Sequence, residues 1–427
     1  MSSETIAEST PSPPDGLLVV TVDRLPAWML PAYGATWVAM PAIDALAARG
    51  VVFDRVITPS TAPAETCRDL AGTGDRDGPS VMRAAAERGW SVALVTDDPS
   101  VAEWLSDVDG MHVTLVPAVA KRDEAVEDGA TELARLVAAA IDVIRSGRHR
   151  VVWCHVASLG VVWDAPQPYR DRYVDPEDPP PPAGAGVPSF GVDADTDPDL
   201  IVGARQAFAG QLSLLDAEIG RLFATVLGGG GSSAMNAAPG WAALFAGVRG
   251  LPLGLHGWVG VGGEDVPHGE LVHVPAILVD AAGRMAAQRY GGLVLPADLG
   301  STLAELIAAS PSRPPALEPD VPWRGASLAG LFEDWSVVAR DRIIVGEAEA
   351  GAIITPSWHC LFRRGGAAAA GSAGIRLFAK PDDFFELTDV ANRCPTVVEP
   401  LAAFIARAAA GDWRALWREA LPEAPPG

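Results

Sequence analysis

Basic residues are scarce in this chain. Its 427 residues hold 32 Lys and Arg against 54 Asp and Glu, a formal net charge of −22, which argues against nucleic acid or an anionic membrane surface as a partner. Long apolar runs are missing too, since no stretch approaches the roughly 20 apolar residues of a membrane-spanning helix. Met1 to Gly16 is polar and contains proline, without a basic start or a continuous apolar stretch, so no secretory signal is expected. Cysteine is sparse: Cys67, Cys154, Cys360 and Cys394 are widely scattered, which excludes a disulfide scaffold and offers no metal-type spacing. Together these absences make the cytoplasm the expected location. What the chain does have is 49% hydrophobic and 20% charged residues, enough for an ample core and for one large domain plus a smaller one.

The stretch from Leu17 to Gly74 organises the rest. Leu17 to Val22 is a β-branched apolar run that stops at Asp23, which reads as a buried central strand with a carboxylate at its carboxyl end, where open α/β sheets place ligands. Met40 to Gly50 reads as a short helix with proline near its start and glycine as its stop. Val51 to Phe53 is a second strand, and a loop then leads to Cys67-Arg68-Asp69-Leu70-Ala71-Gly72-Thr73-Gly74. Further on, Ser80 to Trp90 reads as a helix, Ser91 to Thr96 as a strand, Glu124 to Ser146 as a long helix and Arg150 to Val156 as a buried strand. This strand–helix–strand rhythm predicts a doubly wound sheet. Asp175 to Asp199, dense in Pro, Gly and Asp, is expected to be a long irregular insertion. A helix over Ala204 to Leu227, a flexible connector over Gly228 to Gly240 and a strand over Trp241 to Ala246 follow.

The order of these segments resembles the sulfatase family of the alkaline-phosphatase-like superfamily. In that family a strand ends in a metal-binding Asp pair, a "tPNiDaLAaeGv.F" segment follows, and a C/S-x-P-S-R nucleophile motif runs into "LLTG". Leu212 to Leu222 resembles the family's "yvDaeiGrLl" helix, and Phe384 to Asn392 echoes its "eLYDL…Dp.E..NlA". The resemblance spans Leu17 to Ala409. It implies an α/β fold of the alkaline-phosphatase and sulfatase type, a mostly parallel sheet flanked by helices with a small carboxyl-terminal antiparallel α+β subdomain. The expected division is a disordered tail over 1–16, the α/β domain over 17–310 and the carboxyl-terminal subdomain over 311–427. That subdomain is read as short strands over Arg342 to Val345, Ala352 to Thr355 and Trp358 to Arg363, closed by a helix over Val397 to Ala409.

The scaffold is matched and the chemistry is not. Counting back from Arg68 and Thr73-Gly74, the family's nucleophile position falls on Ala64, whose methyl group cannot attack a sulfur or phosphorus centre. Thr61, in a T-x-P-S-like segment displaced by three residues, is the weak alternative. Of ten positions where the family keeps catalytic or metal-binding groups, Asp23 and Arg68 are retained. The others read Arg24, Ala64, Asp97, Pro99, Gly160, Val248, Arg249 and His359. Asp23 is thus the one retained metal-ligand position, and the family's calcium or magnesium site is predicted lost, because a hard cation wants about six or more oxygens. Without the cation a buried Asp23 would carry an uncompensated charge, so Arg24 or Arg249 is expected to pair with it. Asp23, Arg24, Arg68, Arg249, His256 and His359 form the expected vestigial pocket.

Three functions follow from the resemblance. The leading one is a sulfatase-family protein without catalytic activity, a pseudo-sulfatase kept for binding or regulation. The alternatives are an active sulfuric or phosphoric ester hydrolase with a rebuilt site, and a metal-free anion-binding module. No partner is specified; a small sulfated or phosphorylated ligand and a protein partner both stay open, with nucleic acid and membrane excluded.

Overall fold

The structure is a computed structural model and describes residues 13–72, 80–106, 108, 110–121, 123–228, 240–263, 266–308, 325–332, 340–347, 350–363 and 374–409. The Thr73-Gly74 pair, most of the tail before Gly16 and nearly all of the 228–240 connector lie outside them.

Fifteen strands are defined among the described residues, in chain order β1 (Gly16–Val22), β2 (Val51–Ile57), β3 (Val92–Thr96), β4 (Met111–Leu115), β5 (Val151–Val156), β6 (Ser189–Gly191), β7 (Trp241–Gly247), β8 (Trp258–Gly260), β9 (His273–Val274), β10 (Ala276–Val279), β11 (Gln288–Val294), β12 (Ile343–Glu347), β13 (Ala350–Ile354), β14 (Trp358–Arg363) and β15 (Ile375–Ala379). The main sheet has nine strands in the order β11-β2-β10-β7-β1-β5-β3-β4, with β9 on the end of β2. It is parallel except where β10 meets β7 and β2 and where β9 meets β2. β1 lies at its centre between β5 and β7, with Val22 level with Val156 and Gly247.

β1 is buried along its whole length, and its alternate side chains divide between two cores, as the period of two in a strand requires. Leu18, Val20 and Val22 pack on one face with the helices Glu132–Arg145 and Pro198–Leu227. Leu17 and Val19 pack on the other with the helices Pro63–Ala71 and Pro296–Ile307. Both faces covered by helices is the doubly wound arrangement expected from the sequence. A second, four-stranded antiparallel sheet, β12-β13-β14-β15, carries its own core with the helix Pro395–Ala409.

Two expectations need correction. The helix placed over Glu124 to Ser146 begins only at Glu132, because the Thr131 side chain accepts the Ala134 N–H and caps it there. The 175–199 segment is not irregular throughout: β6 pairs with β8 in a two-stranded ribbon, and Asp197 caps the helix that starts at Pro198. β4, β15 and the helix Pro99–Ser106 were not foreseen.

Candidate functional site

Parallel strands that end together bring their following residues together. Asp23 follows β1, Ala157 and Ser158 follow β5, and Val248 and Arg249 follow β7, so these groups share the carboxyl edge of the sheet. The Asp23 carboxylate is 4% exposed and is gripped in a fork: Arg249 Nε donates to Oδ1 at 2.8 Å and Nη2 to Oδ2 at 3.1 Å. Arg249 Nη1 also donates to the Thr61 carbonyl at 2.9 Å. A two-point guanidinium–carboxylate pair of this kind is short, oriented and strong for a partly buried ion pair. The expected arginine partner of Asp23 is therefore present, and it is Arg249.

Arg24 stands beside it, with Nε 3.8 Å from Asp23 Oδ2. Its backbone is left-handed, φ 63°, a conformation that costs a non-glycine residue of order 1–3 kcal/mol and persists only where surroundings hold it. The side chain needs the space that Gly160 leaves, since a Cβ there would sit 3.1 Å from Arg24 Cγ and 3.5 Å from Nε. The resemblance puts a histidine at 160 and an aspartate at 24. In this chain the two departures fit each other.

Behind the pair lies a buried polar chain. Trp153 Nε1 donates to Thr21 Oγ1 at 2.8 Å, and the same hydroxyl is hydrogen-bonded to His155 Nδ1 at 2.9 Å. His155 Nε2 lies 4.0 Å from Asp98 Oδ2 and has no hydrogen-bond partner among the described residues. Burial lowers the His155 pKa, against the pull of Asp23 and Asp98, which keeps the ring neutral. Cys67 Sγ is 3.7 Å from the same Nδ1, but burial pushes its thiol far up, so it supplies no thiolate nucleophile.

The remaining expected positions serve the scaffold. Asp97 accepts the Ala157 and Ser158 N–H groups at 2.6 and 2.9 Å, tying β3 to β5, and burial raises its pKa to about 6. Pro99 opens the helix Pro99–Ser106, whose Ser100 N–H is accepted by Asp98 at 2.8 Å. Val248 is fully buried, and Ala64 packs against the second core. Arg68 does not reach for the carboxylate: its guanidinium carbon lies 3.2 Å from the Trp104 ring centroid, a cation–π stack.

His256 and His359 belong to a second cluster, around Glu386. Glu386 Oε2 accepts from His268 Nδ1 at 2.8 Å and from Gly269 N at 3.0 Å. Oε1 lies 2.5 Å from His359 Nδ1 and 3.0 Å from Lys380 Nζ. These partners hold the Glu386 carboxyl well below the usual carboxylate range despite its burial. His256 bonds Glu270 at 2.8 Å and stacks on His268 with ring centroids 3.6 Å apart and planes within 9°. Glu386, Glu270 and His268 were missed in the sequence, where no spacing joins them.

Neither cluster offers a good cation site. At Asp23 both carboxylate oxygens are already in the arginine fork, with a second guanidinium beside it and no further carboxylate where the resemblance expects one; this donor set does not suit a hard divalent ion. His256, His268 and Glu386 are close enough to share a metal. However, a metal sits near the plane of each imidazole it binds, and two parallel rings 3.6 Å apart cannot both contain it. Arg376 Nη2 also occupies His268 Nε2 at 2.8 Å.

No protein-family model and no curated protein matches the chain. Solved structures do. The phosphonate monoester hydrolase of Agrobacterium radiobacter superposes with a TM-score of 0.66 at 18% identity, over 93% of this chain and 95% of its own. A protein solved in complex with its substrate D-glucosamine-2-N,6-O-disulfate reaches 0.69 at 12% identity, covering 95% and 98%. A 2-O GAG sulfatase reaches 0.60 at 14% identity, covering 97% and 98%. At this identity the likeness establishes the fold alone, the sulfatase-type α/β architecture that the resemblance implied. Among the described residues no helix is long and apolar enough to cross a membrane.

Proposed function

We propose that this chain is a pseudo-sulfatase, a protein of sulfatase fold that no longer hydrolyses esters and serves in binding or regulation. The observation that carries this reading is the fork of Arg249 on Asp23, which neutralises the retained carboxylate with a side chain of the same chain. The fit of Arg24 into the space at Gly160 supports it, because the replacements form one self-consistent packing. On this reading the divalent ion of the fold family has been displaced by internal ion pairing, and nothing in the mechanism of the relatives carries over.

The two alternatives have weaker support. A hydrolase using Thr61 must work with a residue whose backbone carbonyl is already held by Arg249. An anion-binding module at this edge must draw on Arg24 and Arg249, both of which already face Asp23, while Arg68 lies over Trp104. Four free cysteines, three of them buried, agree with the proposed cytoplasmic location.

The test is metal content together with hydrolysis of aryl sulfate, aryl phosphate and phosphonate monoesters, on protein purified with calcium and magnesium. The expected outcome is no stoichiometric ion and no turnover above that of Thr61→Ala. One bound ion with turnover that vanishes in Thr61→Ala would overturn the reading and make the chain a working esterase.

A further inference from the structure

A cavity of about 490 Å³ lies between the two sheets, away from Asp23, within the size range of small-molecule sites. β2 and β11 form one wall, and β13, β14 and the 380–386 segment form the other. Its apolar surface comes from Ile57, Leu293, Ile354, Pro356 and Phe384, with the edge of Tyr33 at one side.

The charged groups lining it do not balance. Arg289 is ion-paired with Asp54, and Lys380 with Glu386. The third cation, Arg55, has no carboxylate within ion-pair distance among the described residues. Its Nε and Nη2 donate to the Gly291 carbonyl and its Nη1 to the Pro356 carbonyl at 2.8 Å, leaving two of its five N–H groups unused. His273 adds no charge, because burial lowers its pKa to about 4. His359 also lines the cavity; it is 2% exposed, and its Nε2 is buried with no hydrogen-bond partner. A guanidinium with no carboxylate at ion-pair distance, influenced only from afar by Asp54, and a buried ring nitrogen with no hydrogen-bond partner, on one largely apolar cavity, are the features that a ligand with an acidic end would answer.

We propose that this cavity binds a small organic acid, its apolar body against Ile57, Leu293 and Phe384 and its carboxylate on Arg55, with a polar atom in reach of His359. A carboxylate is preferred because its planar pair of oxygens matches guanidinium donors. The inference is independent of whether the Asp23 edge hydrolyses anything, and its failure would leave that question where it stands.

The structure supplies a blocking variant. A Cβ added at Gly291, on the cavity wall, meets nothing closer than Asp54 Oδ2 at 4.0 Å, so Gly291→Leu adds bulk at that wall with no clash at its Cβ. Calorimetric titration of the full chain with 3-phenylpropanoate, against 3-phenylpropan-1-ol, reads the site. The acid is expected to bind at one per chain, the alcohol roughly tenfold more weakly or worse, and Arg55→Gln to lose a similar factor. Gly291→Leu is expected to abolish binding while melting as the parent does. No binding of the acid at millimolar concentration, equal binding of the alcohol, or unchanged binding in Gly291→Leu would overturn the proposal. Should Gly291→Leu fail to fold, the Arg55 variants decide: weakened binding in Arg55→Gln, with Arg55→Lys no weaker than that, supports the guanidinium contact, and parent affinity in both refutes it.

Discussion

The carboxylates of Asp23 and Glu386 are both almost completely buried, 4% and 3% exposed, yet they are satisfied by opposite means. Asp23 ends the central strand and is held by guanidiniums from its own and a neighbouring strand end. Glu386 sits at φ 57° in a segment after the second sheet and joins parts far apart in the chain: His268 and Gly269 beside the main sheet, His359 on β14 and Lys380 after β15. The first neutralises a charge within one sheet, and the second locks two sheets together. A buried carboxylate is thus informative only with its partners: the same group ends a central strand in one place and makes an interlayer joint in the other.

That contrast can be broken from either side. The largest effect is expected from Glu386→Ala, which strands three basic side chains in a buried joint and should cost about 3–5 kcal/mol, read by urea unfolding. Loss of the second sheet before the first in hydrogen exchange would mark it as the joint. Arg249→Met leaves Asp23 buried without its fork and should cost about 3 kcal/mol, at the lower end because Arg249 is partly exposed. The double variant Asp23→Leu with Arg249→Met should recover most of that loss; if it is no more stable than Arg249→Met alone, the pair is not what holds this edge.

Acid separates the two regions next. Burial lowers the His268 pKa from the usual 6.5 to about 4, with Glu386 opposing. The unfolded chain therefore binds a proton that the folded one refuses between those values, and stability falls as pH drops from about 6.5 to about 4. The full shift corresponds to up to about 3 kcal/mol. The difference in unfolding free energy between the parent and His268→Gln should change across this window and be flat above pH 7. The smallest effect is expected at Gly160→Ala, whose added methyl meets Arg24 Cγ at 3.1 Å and should cost about 1–3 kcal/mol. Thermal melting reads it, and a neutral result would show that Arg24 moves freely.

Much of the fold was legible in the sequence because its signals are local. The all-apolar β1, the helix opened by Pro41 and stopped by Gly50, and the buried run after Arg150 each carry their pattern within a few residues. Where the local signal was misleading, tertiary or capping interactions decided. Glu124 to Ala130 has helix-forming composition, but Thr131 caps the helix later, and β6 exists only because β8 is there to pair with it. At the site, the departures from the family pattern at Ala64, Val248 and Gly160 could be read one position at a time. The fit of Arg24 into Gly160 could not, since the two are 136 positions apart in the chain.

By itself, then, the sequence determined that Asp23 would end a central strand, and set beside the resemblance it put arginines at 24 and 249, where the family keeps metal ligands. Residue identity and short-range periodicity are enough for that. Which arginine grips Asp23, that Arg68 lies over Trp104 instead, and that His256 and His359 gather at Glu386 were decided by tertiary structure alone. A charge in a buried place must find a partner, but the partner is chosen by which strand ends and loops the sheet order brings within reach, and that order is a property of the assembled layers.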